Sequence, residues 1–370
     1  MRHAWIALAL PLLVAACGEE PAPVAGYEEA AGAAAALGFD PGREAQVARL
    51  LAEAPLDEAS VRRAVEAARP ALDALAAAAR ADAWTVTDMA ASRDDWEALA
   101  WLAYGDARLR LADGDAAGAY ERALMVHRLG TLLGDAEGAG VAEVIASMGL
   151  REAGLVQLQR LSAHAPPDRA IAERVAEAIG DPQAGLAAWP SALRAEAAGA
   201  EDRLRAVAAN PVRALGPRGE RLPPEARAAP DLFDLDATRE AATAAVLRAA
   251  GAGVDDCAAG LAAGPPPGPG PNLAGRLYAH QTAFALAQLF DRLCVTEAAR
   301  RATLIVVAPR AGIDRIAAHS DPFTDAPFAR IGDALVSGGR GRTVPTRVGT
   351  GPFDPERPTY FLDARPLLDF

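Results

Sequence analysis

From Tyr27 to Ala208 the apolar residues keep a helical period, broken only by short turns. Between Asp57 and Arg80, Val61, Val65, Ala68, Leu72, Leu75 and Ala79 step by fours and threes, which lines them along one face of a helix. Pro70 falls inside that stretch and lacks the N–H a helix needs, so a kink or a fresh start is expected there. Ser92 to Asp113 reads as a second helix, with Ser92 as its N-cap and Asp94-Asp95 where the dipole favours acids. A turn at 112–115 leads to Ala116–Leu133, whose Met125, Leu129, Leu132 and Leu133 share a face, with Gly134 as the C′ residue. Val141, Val144, Ile145 and Met148 open a long helix that Leu155, Leu158 and Leu161 extend to about Ala163, with Gly149 and Gly154 as close-packing points. Pro166-Pro167-Asp168 starts the next, striped by Ile171, Val175, Ala178 and Ile179 and ended by Gly180. Asp181-Pro182 opens another, to about Ala208. Connections this short imply antiparallel neighbours. All the tryptophans but Trp5 lie between Trp84 and Trp189, which places the main core there.

The period then lapses. Residues 210–235 are rich in Pro, Arg and Gly and read as a linker or long surface loop. Helix returns at Ala237–Ala250 and Val254–Ala262. The proline run from Pro265 to Pro271 is a loop, partly polyproline II. Leu273 to about Ala308 is a long helix with Phe284, Leu286, Leu289, Phe290, Leu293 and Cys294 on a broad apolar face. After residue 319 the helical period vanishes. Residues 327–331, Gly332-Asp333 and residues 334–337 read as a β-hairpin on a two-residue turn, and Pro358–Asp363 can add a strand. The fold class expected is all-α: antiparallel helical hairpins with a small β-hairpin C-terminal cap. Its parts are a helical domain at 27–209, the 210–235 loop, a second helical segment at 236–319 packing on the first, and a β/loop cap at 320–370.

The N-terminus reads differently. Met1-Arg2-His3 is positively charged, and the apolar run Ala4–Val14 is too short to span a bilayer, which takes about 20 residues. It fits the central region of a signal peptide, with residues 1–16 removed. Val14-Ala15-Ala16-Cys17 looks like a lipobox, in which small residues enter a peptidase cleft and the Cys17 thiol accepts a diacylglycerol. The polar, Pro-rich residues 17–26 read as a tether. Gly18, in place of Asp, resembles the outer-membrane choice of Gram-negative lipoproteins. The expectation is a lipid-anchored envelope protein facing the periplasm, its first partner the bilayer through acylated Cys17.

Three cysteines are present, so beyond Cys17 one pair remains, Cys257 and Cys294. In an oxidising compartment an even pair is expected to form a disulfide. All 37 basic residues are Arg, and acids outnumber them for a net charge of −12. The arginines form no basic stripe, which argues against a nucleic-acid partner.

The stretch from Ala100-Trp101 to Ala123-Leu124 weakly resembles a tetratricopeptide repeat: a Trp, a Gly four residues on, a Gly-Asp turn and a Tyr-x-x-Ala-Leu ending. No second copy follows at the family's period. Gly114-Asp115, Leu129-Gly130-Thr131-Leu132 and the tail Asp321-Pro322-Phe323-Thr324-Asp325-Ala326-Pro327-Phe328 together resemble a loose group of uncharacterised bacterial lipoproteins and exported helical proteins. Their tail motif reads like Asp-Pro-Phe-Thr-Gly-Lys-Pro-Phe. Here Asp325 stands where the group has Gly, and Ala326 where it has a basic residue. The resemblance implies architecture, about residues 90–180 and 272–330, and no activity. From the residues themselves the tail motif is a structural turn. Pro322 and Pro327 fix φ, Asp321 and Asp325 can cap local amides, and Phe323 and Phe328 can plug onto the helices. A Ca²⁺ site from Asp321, Asp325 and Asp333 is the sharper alternative, but calcium takes six to eight oxygens and few are on offer.

Catalytic signatures are missing from the sequence: no His-Glu-x-x-His, no Gly-x-Ser-x-Gly and no phosphate loop. His127, His164, His280 and His319 are scattered. No cofactor or metal is expected, and the balance leans away from an enzyme. The reading is a membrane-anchored, non-catalytic scaffold whose helical surface binds another envelope protein. The alternatives are an envelope enzyme acting on glycan or peptidoglycan, and a small-ligand or lipid carrier.

Overall fold

The computed structural model describes residues 58–84, 93–211, 231–268, 270–307, 319–331, 334–337 and 346–349. The described part is mostly helical, as the periodicity predicts. Cys17, the signal and tether segments, most of the 210–235 loop, Asp333 and residues 358–363 lie outside it.

Helices α1 (Glu58–Ala67) and α2 (Arg69–Ala78) meet at Ala68, and Pro70 sits in the first turn of α2, where a missing N–H costs nothing. Ala71, Leu72, Leu75 and Ala78 are the buried face of α2. Helix α3 (Arg93–Ala112) turns into α4 (Ala116–Gly134) at Gly114, whose φ is +87°. Asp115 caps α4, its carboxylate accepting from the Gly118 amide at 2.8 Å. Helix α5 (Val141–His164) opens with the Glu143 carboxylate accepting from the Gly140 amide at 2.8 Å. Helix α6 (Arg169–Ile179) is capped by Asp168, which accepts from the Ile171 amide. Its buried stripe is Ile171, Ala172, Val175 and Ile179, whereas Ala178 is exposed.

The expected single helix after Asp181 is instead a run of turns followed by α7 (Trp189–Ala198) and α8 (Ala200–Ala209). Helix α9 (Leu235–Gly251) follows, capped by Asp234. The helix expected at Val254–Ala262 is one 3₁₀ turn, Val254–Asp256, because Gly260 (φ +63°) and Gly264 (φ +70°) turn the chain out of helix. Helix α10 (Leu273–Val307) is the longest element, at 35 residues.

Helix α5 is the hub, packing on α3, α4, α7 and α10, and its contact with α4 is the most extensive among the described elements. Small residues make that closeness possible. A Cβ on Gly154 would lie 2.6 Å from the His127 backbone nitrogen, and one on Gly130 would lie 2.7 Å from that of Arg151. Gly134, expected at C′ just beyond the helix, is instead its last helical residue, and a Cβ there would strike the Gly185 carbonyl oxygen at 2.0 Å. Gly149 faces open space. Helix α10 packs on α5, α6 and α9, so the second helical segment shares one contiguous apolar core with the first. Leu155, Leu158 and Leu161 of α5 and Phe290, Leu293 and Leu304 of α10 are buried in it.

Three short strands follow: β1 (Ala329–Ile331), β2 (Ala334–Ser337) and β3 (Thr346–Gly349). They pair antiparallel in the order β1-β2-β3, with Ile331 opposite Ala334 and Ser337 opposite Thr346. Among the described residues no helix is long and apolar enough to cross a membrane.

Candidate functional site

Cys257 and Cys294 are bonded, with their Cα atoms 5.5 Å apart. The bridge pins the turn after the 3₁₀ helix to the middle of α10, and both residues are buried.

In the tail motif, the Asp321 carboxylate is buried and local. Oδ1 accepts from the Phe323 amide at 3.1 Å and from the Ser337 hydroxyl at 2.9 Å, which ties the turn to β2. Asp321 and Ala326 close the turn through their backbones at 2.8 Å, and Ser320 bridges Pro327. Phe323 and Phe328 are both buried in the main core; Pro322 is buried and Pro327 exposed. Asp325 has φ +53°, the left-handed region that glycine prefers and Asp tolerates. The Asp325 side chain is exposed.

Beyond these, the structure gathers charged and polar side chains that the periodicity gave no reason to place inside. Helix α10 brings Arg292, Thr296, Glu297, Arg300 and Arg301 against Arg151 and Glu152 of α5, the last turn of α6 and the tail. Glu297 is 1% exposed and accepts both Arg300 Nε and Nη2, at 2.6 and 2.7 Å, and Arg301 Nε at 2.6 Å. Arg300 Nη1 donates to the Ile179 and Gly180 carbonyls at 3.0 Å each, so a guanidinium satisfies the open end of α6. Arg301 reaches the Ser320 carbonyl at 3.1 Å and anchors the tail motif to α10. Glu152 accepts from Arg292 and, at 2.7 Å, from the Thr296 hydroxyl. Burial holds its carboxyl above the usual range, and Arg292 opposes that shift. Along the same seam Gln159 donates to Thr303 Oγ1 at 2.7 Å.

His127, on α4, is 2% exposed, and its Nε2 has no hydrogen-bond partner among the described residues. Burial first, then the charges of Arg151 and Arg300, push its pKa down to about 3, so the ring is neutral at ordinary pH. His280 is half-buried away from the cluster, with its Nδ1 3.2 Å from the Ala263 carbonyl, whereas half-buried His319 lies beside it, where burial and then the charges of Arg300 and Arg301 lower its pKa.

The sequence does carry a trace of this cluster: Glu297, Arg300 and Arg301 sit at i, i+3 and i+4, a spacing that pairs charges on a helix. The same spacing on an exposed face is ordinary, so it gives no warning of burial. Chemically the cluster is a set of guanidinium donors and carboxylates locking four elements together. Among the described residues no group of three His, Cys, Asp or Glu side chains is placed to hold a metal ion. Comparison with protein-family models, with curated proteins and with solved structures finds no match to the chain.

Proposed function

We propose that this chain is a lipid-anchored envelope protein, held at the periplasmic face of the outer membrane by acylated Cys17. It serves there as a non-catalytic scaffold for another envelope protein. The observation that carries the reading is the sequence Val14-Ala15-Ala16-Cys17 at the end of a short apolar run, followed by a polar tether. The bonded Cys257–Cys294 pair supports it, because such bonds persist outside the reducing cytosol. The tail turn supports kinship with the helical exported proteins it resembles, since its backbone at Asp325 asks for the glycine they carry. In this reading the helical hairpins pack in a loosely tetratricopeptide-like way, the β-strands cap the array, and the outer helical faces meet the partner.

Two experiments test it. Cys17→Ser is expected to move the protein from the membrane fraction to the soluble periplasmic fraction; retention in membranes at high salt overturns the anchor. Crosslinking in cells, then detergent extraction and capture of the tagged full-length protein, is expected to yield one stoichiometric envelope protein, lost on mutating one helical face. Recovery of the protein alone overturns the scaffold.

A further inference from the structure

Arg151 is the one arginine of the buried cluster with no ion pair of its own, although Glu297, Asp135 and Glu152 lie close enough for their charges to favour it. It is 2% exposed, its Nε has no hydrogen-bond partner, and it makes no ion pair among the described residues. The carboxylates around it are committed elsewhere. Glu297 is taken by Arg300 and Arg301, and Glu152 by Arg292 and Thr296. Asp135, the other carboxylate whose charge reaches Arg151, is exposed, and its two oxygens accept from the Gly185 and Ala187 amides at 2.9 Å each. Four guanidinium groups thus face two buried carboxylates. A guanidinium stays charged under all ordinary conditions, and burying one without a partner is strongly unfavourable. His127 Nε2 is a second buried atom left without a partner, close enough to feel the Arg151 charge. The loop after α6 covers this region. Gly185, at φ +81°, lies against the Arg151 side chain, where a Cβ would meet Cδ at 2.9 Å and Nε at 3.2 Å.

We propose that Arg151 marks an internal site for one small monovalent anion of halide or formate size, enclosed by α4, α5 and the 180–188 loop. Such an anion supplies the missing charge and the missing acceptor together. Access is by opening of the 180–188 loop, which Asp135 holds down through its two amide contacts. The site is independent of the membrane anchor and of any scaffold partner.

The test uses the full chain, purified in detergent, with bromide as probe. Thermal unfolding is followed while sodium bromide replaces sodium gluconate, an anion too large to enter, at constant ionic strength. The melting temperature is expected to rise with bromide in a saturable way, as for any ligand that binds only the folded state. Arg151→Met is expected to abolish the rise. Identical melting in the two salts overturns the proposal, and so does a bromide effect that Arg151→Met retains, which would mark surface binding. If Arg151→Met does not fold, crystals grown in bromide decide. An anomalous peak within hydrogen-bond reach of the Arg151 guanidinium supports the site, and a water there, or bromide only at the surface, overturns it.

Discussion

A proton added to His127 would be enclosed by α4 and α5 beside two guanidinium groups, which is why its folded pKa falls to about 3 from an ordinary 6.5. The neutral form is the folded form, so this residue's contribution to stability is complete above about pH 6.5. It is lost progressively as the pH falls from there toward 3. At about 1.4 kcal/mol per unit of mismatch, stability is expected to drop by about 1–2 kcal/mol between pH 6.5 and 5, where few carboxylates titrate. Urea unfolding in gluconate buffers measures this. His127→Gln should flatten the profile in that window, and an unchanged slope would show that the proton finds a partner inside. A second residue makes its case through the backbone. Asp325 at φ +53° sits where a Cβ is disfavoured, so Asp325→Gly is expected to stabilise by about 0.5–1 kcal/mol and Asp325→Val to destabilise by about 1–2 kcal/mol. Equal melting temperatures for the two variants would remove the conformational argument.

Helix α5 holds two glycines with opposite reasons for being there. Gly149 faces open space, whereas Gly154 has the His127 backbone where its Cβ would go. Gly149→Ala is therefore expected to stabilise by up to about 1 kcal/mol through helix propensity alone. Gly154→Ala is expected to destabilise by about 1–3 kcal/mol, because α4 and α5 must part at His127 to admit the methyl group. Denaturant midpoints of the two variants should move in opposite directions. From the sequence both glycines read as close-packing points, and only one is, because periodicity gives the face of a helix but not the distance of its neighbour. The same limit runs through the other elements. The stripe from Val61 to Ala79, the break at Pro70, the turn at 112–115 and the helix start at Pro166-Pro167-Asp168 were legible, since each rests on local chemistry. The helix expected at Val254–Ala262 was misread because two glycines with positive φ outweigh a short apolar pattern. Arg300 and Glu297 were illegible as core residues. Nothing local distinguishes a charge pair that faces solvent from one that closes the end of another helix.

At the scale of the molecule, α10 joins the second helical segment and the tail to the hub helix α5. It touches α5, α6 and α9, caps α6 through Arg300, holds the tail through Arg301 and carries half of the disulfide. Its buried side chains belong to the same apolar cluster as those of α2 through α7, so α9 and α10 are not expected to melt apart from the rest. The disulfide offers a direct check on that unity. It closes a loop of 37 residues, and removing it restores conformational freedom to the unfolded chain worth about 3–4 kcal/mol in the chain-entropy account. Because the bridge is buried, the folded protein should resist reduction by mild thiols. The double variant Cys257→Ser, Cys294→Ser loses the cross-link and also sets two hydroxyls in an apolar setting, which adds to the cost. If the molecule is one cooperative unit, calorimetry of the double variant shows a single transition at a lower temperature, with the far-ultraviolet helix signal and the tryptophan fluorescence lost together. Trp189 makes the comparison informative, because its indole nitrogen donates to the Ala249 carbonyl of α9 and so reports on the junction between the two helical segments. An early transition that shifts the Trp189 signal while most helix survives would mean that the disulfide joins a separable α9–α10 unit to itself, and that the charged seam on α5 is a docking surface within the molecule.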